Sequence, residues 1–273
     1  MRDYNLQCVM HDLSKFSKIY LVPLGDFHLG YQGIEMEKVR GYIDWIKNRD
    51  NARTILMGDL MDCATKTSAT ELFDSLTTPD QAYAQIRELL QPIRNKILMI
   101  VRGNHEEAIY RQVGCDYMAR LAYDLGDLPY KPDGGMAGVR LSSDNGTHNV
   151  MCYIYATHGW GGARTIGAKV KKAQDLTLCA NADIYLLAHD HTANVNRGNI
   201  LEPPRSKVKF NSRGSYMTVG RKLFINTGGF ITYGGYVQRK GLTPQDCGTP
   251  RILIEAKREG KASELKLDLH ASL

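Results

Sequence analysis

The sequence predicts a layered α/β protein, with strands buried beneath helices and reactive side chains in the loops at the carboxyl ends of the strands. Three observations predict it. Short, β-branched apolar runs recur along the chain and alternate with stretches of helical periodicity. Several of those runs end in a polar motif built from aspartate, asparagine or histidine. The composition, 43% hydrophobic and 23% charged over 273 residues, is that of an ordinary globular chain long enough to bury a substantial core.

Ile19 to Leu24 is the first strand-like run and leads to Asp26. Met36, Val39, Ile43 and Ile46 then keep an apolar helical face up to the basic and amide-rich stop at Lys47 to Asn51. Thr54 to Met57 leads to Asp59. Thr78, Pro79 and Gln81 make a capping-box start to a helix whose face carries Tyr83, Ile86, Leu90 and Ile93. Ile97 to Val101 leads to Asn104, and Tyr117, Met118, Leu121 and Leu125 predict a third helix closed by Gly126. Asp127 to Thr147, rich in glycine, proline and polar residues, reads as a loop or ragged hairpin. Val150 to Ala156 leads to His158, and Ile166, Val170, Ala173 and Leu176 predict a fourth helix. Ile184 to Ala188 leads to His189. Arg197 to Pro204 reads as a loop entering a strand-like Lys207 to Phe210, and Leu223 to Asn226 leads to Thr227-Gly228-Gly229. Arg251 to Ala256 and Glu264 to Leu269 alternate apolar and polar residues around Gly260, as a closing hairpin does. There is no internal repeat or linker. The simplest partition is a single domain over 1–273, with a basic elaboration at about 193–222 and a C-terminal hairpin at about 250–270.

The first 17 residues lack the apolar stretch and small-residue cleavage site of a signal peptide, and no window approaches the roughly 18 apolar residues of a membrane span. A cytoplasmic protein with no membrane partner is expected. The six cysteines are scattered singly, which fits a reducing compartment; Cys152 and Cys179 are expected as buried free thiols. The formal net charge is +6. Arg197, Arg205, Lys207, Lys209, Arg213, Arg221 and Lys222 face a single acid, Glu202, across residues 193–222, and Arg164, Lys169, Lys171 and Lys172 form a second basic cluster. Such clustering favours a polyanionic partner, while a solvated surface would look the same residue by residue.

Five of the eight histidines fall inside five motifs: Asp26-Phe27-His28, Gly58-Asp59-Leu60-Met61-Asp62, Gly103-Asn104-His105-Glu106, Thr157-His158-Gly159 and Ala188-His189-Asp190-His191. Together they offer oxygen and imidazole ligands for two adjacent metal ions, with an aspartate whose two oxygens can bridge them. Residues two apart at a strand end, such as Asp26 and His28, face the same side and can grip one ion. Gly58 lets the backbone turn sharply and bring the Asp59 carboxylate inward. Asn104 is a neutral oxygen ligand. Any one of these histidines alone would as readily be a satisfied core or loop residue. All five motifs, in this order and after strand-like runs, make that reading improbable.

In this ordered set the chain resembles the calcineurin-like metallophosphoesterase superfamily, from about Ile19 to Gly229. The resemblance implies a layered β-sandwich flanked by helices, with a dinuclear metal site at the carboxyl ends of the strands. It implies that Asp26, His28, Asp59 and His191 hold one divalent metal ion, and that Asp59, Asn104, His158 and His189 hold the other. It further implies that His105 contacts the substrate phosphate or protonates the leaving oxygen, with Asp62 orienting it. Manganese is the expected metal, with iron or zinc as alternatives. Ala188 replaces the glycine that usually opens the last motif. Superfamily members that serve as scaffolds typically lack one or more ligands, and here every expected position is filled.

The expected activity is a metal-dependent phosphodiesterase or nuclease acting on DNA. Three features point there: the basic window, Tyr233 and Tyr236 as rings able to stack on bases, and the likeness of Asp26-Phe27-His28-Leu29-Gly30 to the first motif of the Mre11 and SbcD nucleases. The chain also resembles the small metallophosphoesterases of phages and prophages. A phosphomonoesterase or small nucleotide phosphodiesterase is the alternative. Self-association and any protein partner stay open.

Overall fold

The computed structural model describes residues 7–63, 75–143, 148–203, 217–235, 238, 241, 243–258 and 265–273. Two sheets carry the architecture. The first has five strands in the order β11-β10-β2-β3-β4, built from β2 (Lys18–Leu21), β3 (Ala52–Leu56), β4 (Ile97–Ile100), β10 (Arg251–Arg258) and β11 (Leu265–Ser272). The second has six in the order β1-β5-β6-β7-β9-β8, built from β1 (Val9–Asp12), β5 (Gly135–Ser142), β6 (Asn149–Thr157), β7 (Ile184–Leu187), β8 (Ala193–Glu202) and β9 (Thr218–Thr227). Within the first, β2, β3 and β4 run parallel; within the second, β6, β7 and β9 do.

The sheets face one another across an apolar layer. Ile19, Leu21, Ile55, Met57 and Met99 come from one side and Val139, Cys152, Ile154, Ile184, Leu186 and Ile225 from the other, all fully buried. Strand alternation then decides what each sheet offers outward. On β7, Ile184 and Leu186 enter the layer between the sheets, while Tyr185 and Leu187 point outward to pack with Ala173 and Leu176 of the chain that covers that face. Both faces of the strand are therefore buried, which is why its four residues are all apolar.

The helices are α1 (Met36–Lys47), α2 (Pro79–Leu90), α3 (Asn104–Val113), α4 (Tyr117–Asp124) and α5 (Ile166–Asp175). Val39, Ile43 and Ile46 of α1, Tyr83, Ile86 and Leu90 of α2 and Met118 and Leu121 of α4 cover the outer face of the five-stranded sheet. The capping box at Thr78 and Gln81 forms in both directions, and Pro79 opens the helix where its missing N–H costs nothing. Helix α5 covers the six-stranded sheet. The result is a mixed α/β protein of two sheets flanked by helices.

Several sequence expectations need correction. Residues Arg197 to Glu202 extend β8 instead of forming a loop, because the strand pairs antiparallel with β9 along its whole length. Residues 135–142, within the segment read as a loop or ragged hairpin, form β5, an inner strand of the second sheet paired antiparallel with β6, so the hairpin alternative holds there. Helix α3 was not anticipated; its ten residues carry only Glu106 and Ile109 as buried positions, so no apolar stripe announces it. On α5 the inward residues are Lys169 and Ala173, and Ile166 is exposed, which rotates the helix away from the face its apolar residues suggested. Cys152 is buried as expected, whereas Cys179 is exposed. Among the described residues no helix is long and apolar enough to cross a membrane.

Candidate metal centre

The parallel strands of both sheets end at one edge, and the motif residues leave from there. Asp26 and His28 follow β2, Asp59 follows β3, Asn104 follows β4, His158 follows β6, and His189 and His191 follow β7. The turns that carry them are tight. Of the seven non-glycine residues with positive φ among those described, five are Asp26, His28, Asp59, His189 and His191, at φ between 48° and 71°. Such conformations are costly for residues with a Cβ and persist only where surrounding bonds enforce them.

Those bonds are present. Asp26 N–H donates to the Gly58 carbonyl at 2.9 Å and His28 N–H to the Asp59 carbonyl at 3.0 Å, so the two turns lie against each other. Gly58, at φ 86°, packs its Cα against the Gly103 amide, where any Cβ would collide. Glu106, fully buried, accepts from the amides of Asp59 (2.9 Å), Gly103 (3.0 Å) and Met61 (3.1 Å), joining the Asp59 turn to the start of α3. The His105 amide in turn donates to Asp59 Oδ1 at 2.9 Å.

With Oδ1 so occupied, Asp59 Oδ2 faces the interior of the cluster, 3.9 Å from His28 Nε2 and 3.2 Å from His158 Nε2. Two side-chain groups meet on either side of it. Asp26, His28 and His191 form one, their ligand atoms within 4.8 Å of one another, and Asp59, His158 and His189 form the other under the same bound. Asn104 Oδ1 belongs to the second, 3.0 Å from His158 Nε2 and 2.6 Å from His189 Nδ1. All seven residues singled out as ligands in the sequence are thus brought together.

The donor set suits divalent cations. Asp26 Oδ1 is buried and accepts no hydrogen bond, while His191 Nε2 approaches to 3.3 Å. The Nε2 atoms of His28 and His191 lie 3.2 Å apart, close enough to share one proton or, with both rings neutral, one cation. His158 Nδ1 donates to the Met57 carbonyl at 2.8 Å, which leaves the Nε2 lone pair turned inward, as a metal-ligating imidazole requires. The mixture of imidazole and oxygen ligands fits manganese, iron or zinc better than magnesium or calcium.

The electrostatics agree. Burial opposes the charge on Asp59, yet His158, His105 and His28 around it hold its carboxyl well below the usual range. Burial likewise disfavours a cation at His28, but Asp26, Asp62 and Asp59 outweigh it and lift its pKa to about 10. His158 is lifted to about 9 by Asp59 and Asp26 against the same burial. His191 goes the other way, to about 3, through burial and the neighbouring His28, which Asp26 only partly offsets. The cluster therefore draws positive charge into a site from which water is largely excluded.

His105 lies beside this cluster, its ring 4.5 Å from that of His28. Its Nδ1 donates to the main-chain carbonyl of Asp62 at 2.5 Å, and the Asp62 carboxylate is 3.4 Å away. Asp62 thus faces the ring with both its backbone carbonyl and its carboxylate. The ring also stands close enough to His28 and Asp59 to count as a third metal-capable grouping.

Lys169 and Lys172 were missed as supports of the site because they read as a basic surface. Lys169 is 2% exposed; its Nζ donates to the Asp190 carbonyl at 3.0 Å and to the Thr192 hydroxyl at 2.5 Å. Lys172 Nζ bonds both Asp190 carboxylate oxygens at 3.1 Å. These two lysines brace the turn between His189 and His191. The only sequence signal was that their three-residue spacing puts them on one helix face.

The residues proposed for nucleic-acid contact fare unevenly. Lys222 is 3% exposed and lies 3.5 Å from Asp183 and Glu202, so it serves the interior of the second sheet instead of an outer surface. Arg221 pairs with Asp268 at 3.2 Å. Arg197 and Tyr233 are exposed. Arg205, Lys207, Lys209, Arg213 and Tyr236 lie outside the described residues.

No protein-family model matches the chain, and no curated protein matches it. Among solved structures, the crystal structure of Chaetomium thermophilum Vps29 overlaps 93% of this chain and 93% of its own at 11% identity, with a TM-score of 0.35. That score is too low for the overlap to bear on fold or activity.

Proposed function

We propose that the chain is a metal-dependent phosphoesterase that hydrolyses a phosphodiester of a nucleotide, with DNA as the polymeric form of that substrate. The observation that carries the proposal is Asp59: one oxygen is tied to the α3 backbone and the other lies between two groups of imidazole and carboxylate ligands. Asp26, His28, His191 and Asp59 would hold one divalent cation, and Asp59, Asn104, His158 and His189 the second. Bound there, a pair of such ions supplies Lewis acidity at the phosphoryl oxygens and lowers the pKa of water toward neutrality.

The remaining roles belong to the protein. Burial of Asp26 and Asp59 keeps the site at low dielectric, where their charges act strongly on whatever enters. His105 stands at the edge of the cluster, partly exposed, with Nδ1 fixed by the Asp62 carbonyl and Nε2 left to meet an incoming ester oxygen. In the protonated form favoured by Asp59 and Asp62 against burial, it donates a proton to the leaving oxygen.

The net charge of +6 and the exposed Arg197 support a polyanionic substrate. The pairing of Arg221 and Lys222 with acids favours a second reading, a small nucleotide ester. The test is to strip the protein of metal, restore manganese, and compare single- and double-stranded DNA with a small phosphodiester and a small phosphomonoester. Manganese-dependent cleavage of DNA is the expected result. Turnover confined to the small esters would select the second reading, and no turnover of any ester would overturn the phosphoesterase reading.

A further inference from the structure

Beside the candidate metal centre a cleft of about 310 Å³ opens between the start of α3 and the segment after β6. Asn104 and His158 form its inner wall, so whatever occupies it touches residues of the centre. Trp160 stands at its rim, 54% exposed. The other tryptophan of the chain, Trp45, is by contrast packed edge-on against Tyr20 and against the guanidinium groups of Arg49 and Arg251.

The position of Trp160 is set by the site itself. Gly159 turns the backbone at φ 99° against Leu187, two residues after β6 ends and directly after His158. The Trp160 carbonyl then accepts from Lys172 Nζ at 2.7 Å, the same ammonium that holds the Asp190 carboxylate between His189 and His191. With its backbone so tethered and its indole exposed, Trp160 has little to gain as packing and much to offer as a platform.

The chemistry of the cleft selects its occupant. Tyr155 and Leu176 make its floor apolar. Its two arginines are already matched: Arg111 bonds Glu107 at 2.7 Å, and Arg102 pairs with both Glu107 and Asp116. A second phosphate would have to compete with Glu107 for these guanidinium groups, whereas a flat uncharged ring would meet an exposed indole and an apolar floor. The volume sits at the low end of the roughly 300–1,000 Å³ of ligand sites, which suits one ring system and excludes a duplex.

We infer that this cleft is a subsite for a single nucleobase of the phosphoester, stacked on Trp160 and reached from the centre past Asn104 and His158. The inference rests on the phosphoesterase reading for the origin of the base. Binding of the base itself can be measured without any hydrolysis.

Adenosine and ribose are the probes, applied to the manganese-loaded protein. In a Trp45→Phe background Trp160 is the sole indole, so its fluorescence reports the cleft. Saturable quenching by adenosine and none by ribose is expected. Calorimetric affinity for adenosine should fall roughly 5- to 150-fold in Trp160→Ala, the range of base–aromatic stacking, with partial recovery in Trp160→Phe. Absence of quenching by adenosine, or unchanged affinity in Trp160→Ala, would overturn the subsite. If Trp160→Ala does not fold, the Trp160→Phe affinity and the quenching decide the matter. Hydrolysis without adenosine binding refutes the subsite alone; adenosine binding without hydrolysis of any ester supports the subsite and refutes the phosphoesterase reading alone.

Discussion

On the five-stranded side of the centre the ligand-bearing turn is held by a buried anion, Glu106, whereas on the six-stranded side it is held by a buried cation, Lys169. The difference follows from which backbone groups each turn leaves unpaired. After β3 the turn presents amide donors at Asp59 and Met61, joined by Gly103 at the start of α3, and these need an acceptor. After β7 the turn presents the Asp190 carbonyl and the Thr192 hydroxyl, and these need a donor. Two turns with similar left-handed ligands are thus stabilised by opposite charges, and each brace lies one step behind the residues it positions.

The largest expected effect comes from the residue both sides share. Asp59→Asn removes the carboxylate between the two ligand groups, and should lower bound manganese by elemental analysis together with ester hydrolysis, the latter by at least about 100-fold. A variant that keeps two equivalents of metal and full turnover would mean the two sides do not meet at Asp59.

His105→Ala should separate positioning of metal from chemistry. Turnover should fall about 10²- to 10⁴-fold, the usual contribution of a general acid, with metal content unchanged. Loss of metal would instead make His105 a ligand, as its place beside His28 and Asp59 allows.

The braces themselves come next. Glu106→Gln turns an amide donor toward backbone amides that require an acceptor, and should cost about 1–3 kcal/mol of stability in denaturant titrations. Lys169→Met keeps the packing of the chain but leaves the Asp190 carbonyl and Thr192 hydroxyl without their donor. Manganese affinity should fall about 10- to 100-fold, as for other supports of metal-ligating histidines. Lys172→Met, whose side chain is partly exposed, should do less. Equal effects of Glu106→Gln and Lys169→Met on metal affinity would show the two turns acting as one unit; an effect of either on stability alone would assign that brace to the fold.

The pH dependence sharpens the same comparison. His28 and His158 are held up at about 10 and about 9, because the surrounding aspartates outweigh the burial that opposes their charge. Both rings therefore carry protons at pH 7 without metal and must lose them to ligate. Manganese affinity should rise from pH 6 toward pH 9, with protons released on binding, as calorimetry in buffers of different ionisation heat would register. The smallest effect lies away from the centre. Burial, helped by Arg53, pushes the His11 pKa down despite its bond to the Leu98 carbonyl. The unfolded chain then binds that proton more readily than the folded one, so stability should decline as pH falls below about 6.5. His11→Gln should flatten that part of the profile.

What could be read from sequence was local. The runs before Asp26, Asp59, Asn104, His158 and His189 are strands or strand extensions because their apolar character is continuous, and the motifs sit at strand ends because polar residues cannot continue a strand buried on both faces. The capping box at Thr78 and the alternation at β10 and β11 were legible for the same reason: each is decided by residues within a few positions. Helix α3 escaped because its stability comes from Glu106 and the Gly103 cap, not from an apolar stripe.

Charge was the least legible property. Lys169, Lys172 and Lys222 count as basic residues in any window of sequence, but their partners, Asp190, Asp183 and Glu202, are 18 to 39 positions away, and only the folded arrangement brings them within reach. The candidate ligands could be named from the sequence alone, since each motif carries its own side chains. That Asp59 stands between two groups, that opposite charges brace the turns, and that Trp160 opens a cleft beside them was decided by tertiary structure. Those relations depend on two sheets ending at one edge, a matter of long-range packing that no local window contains.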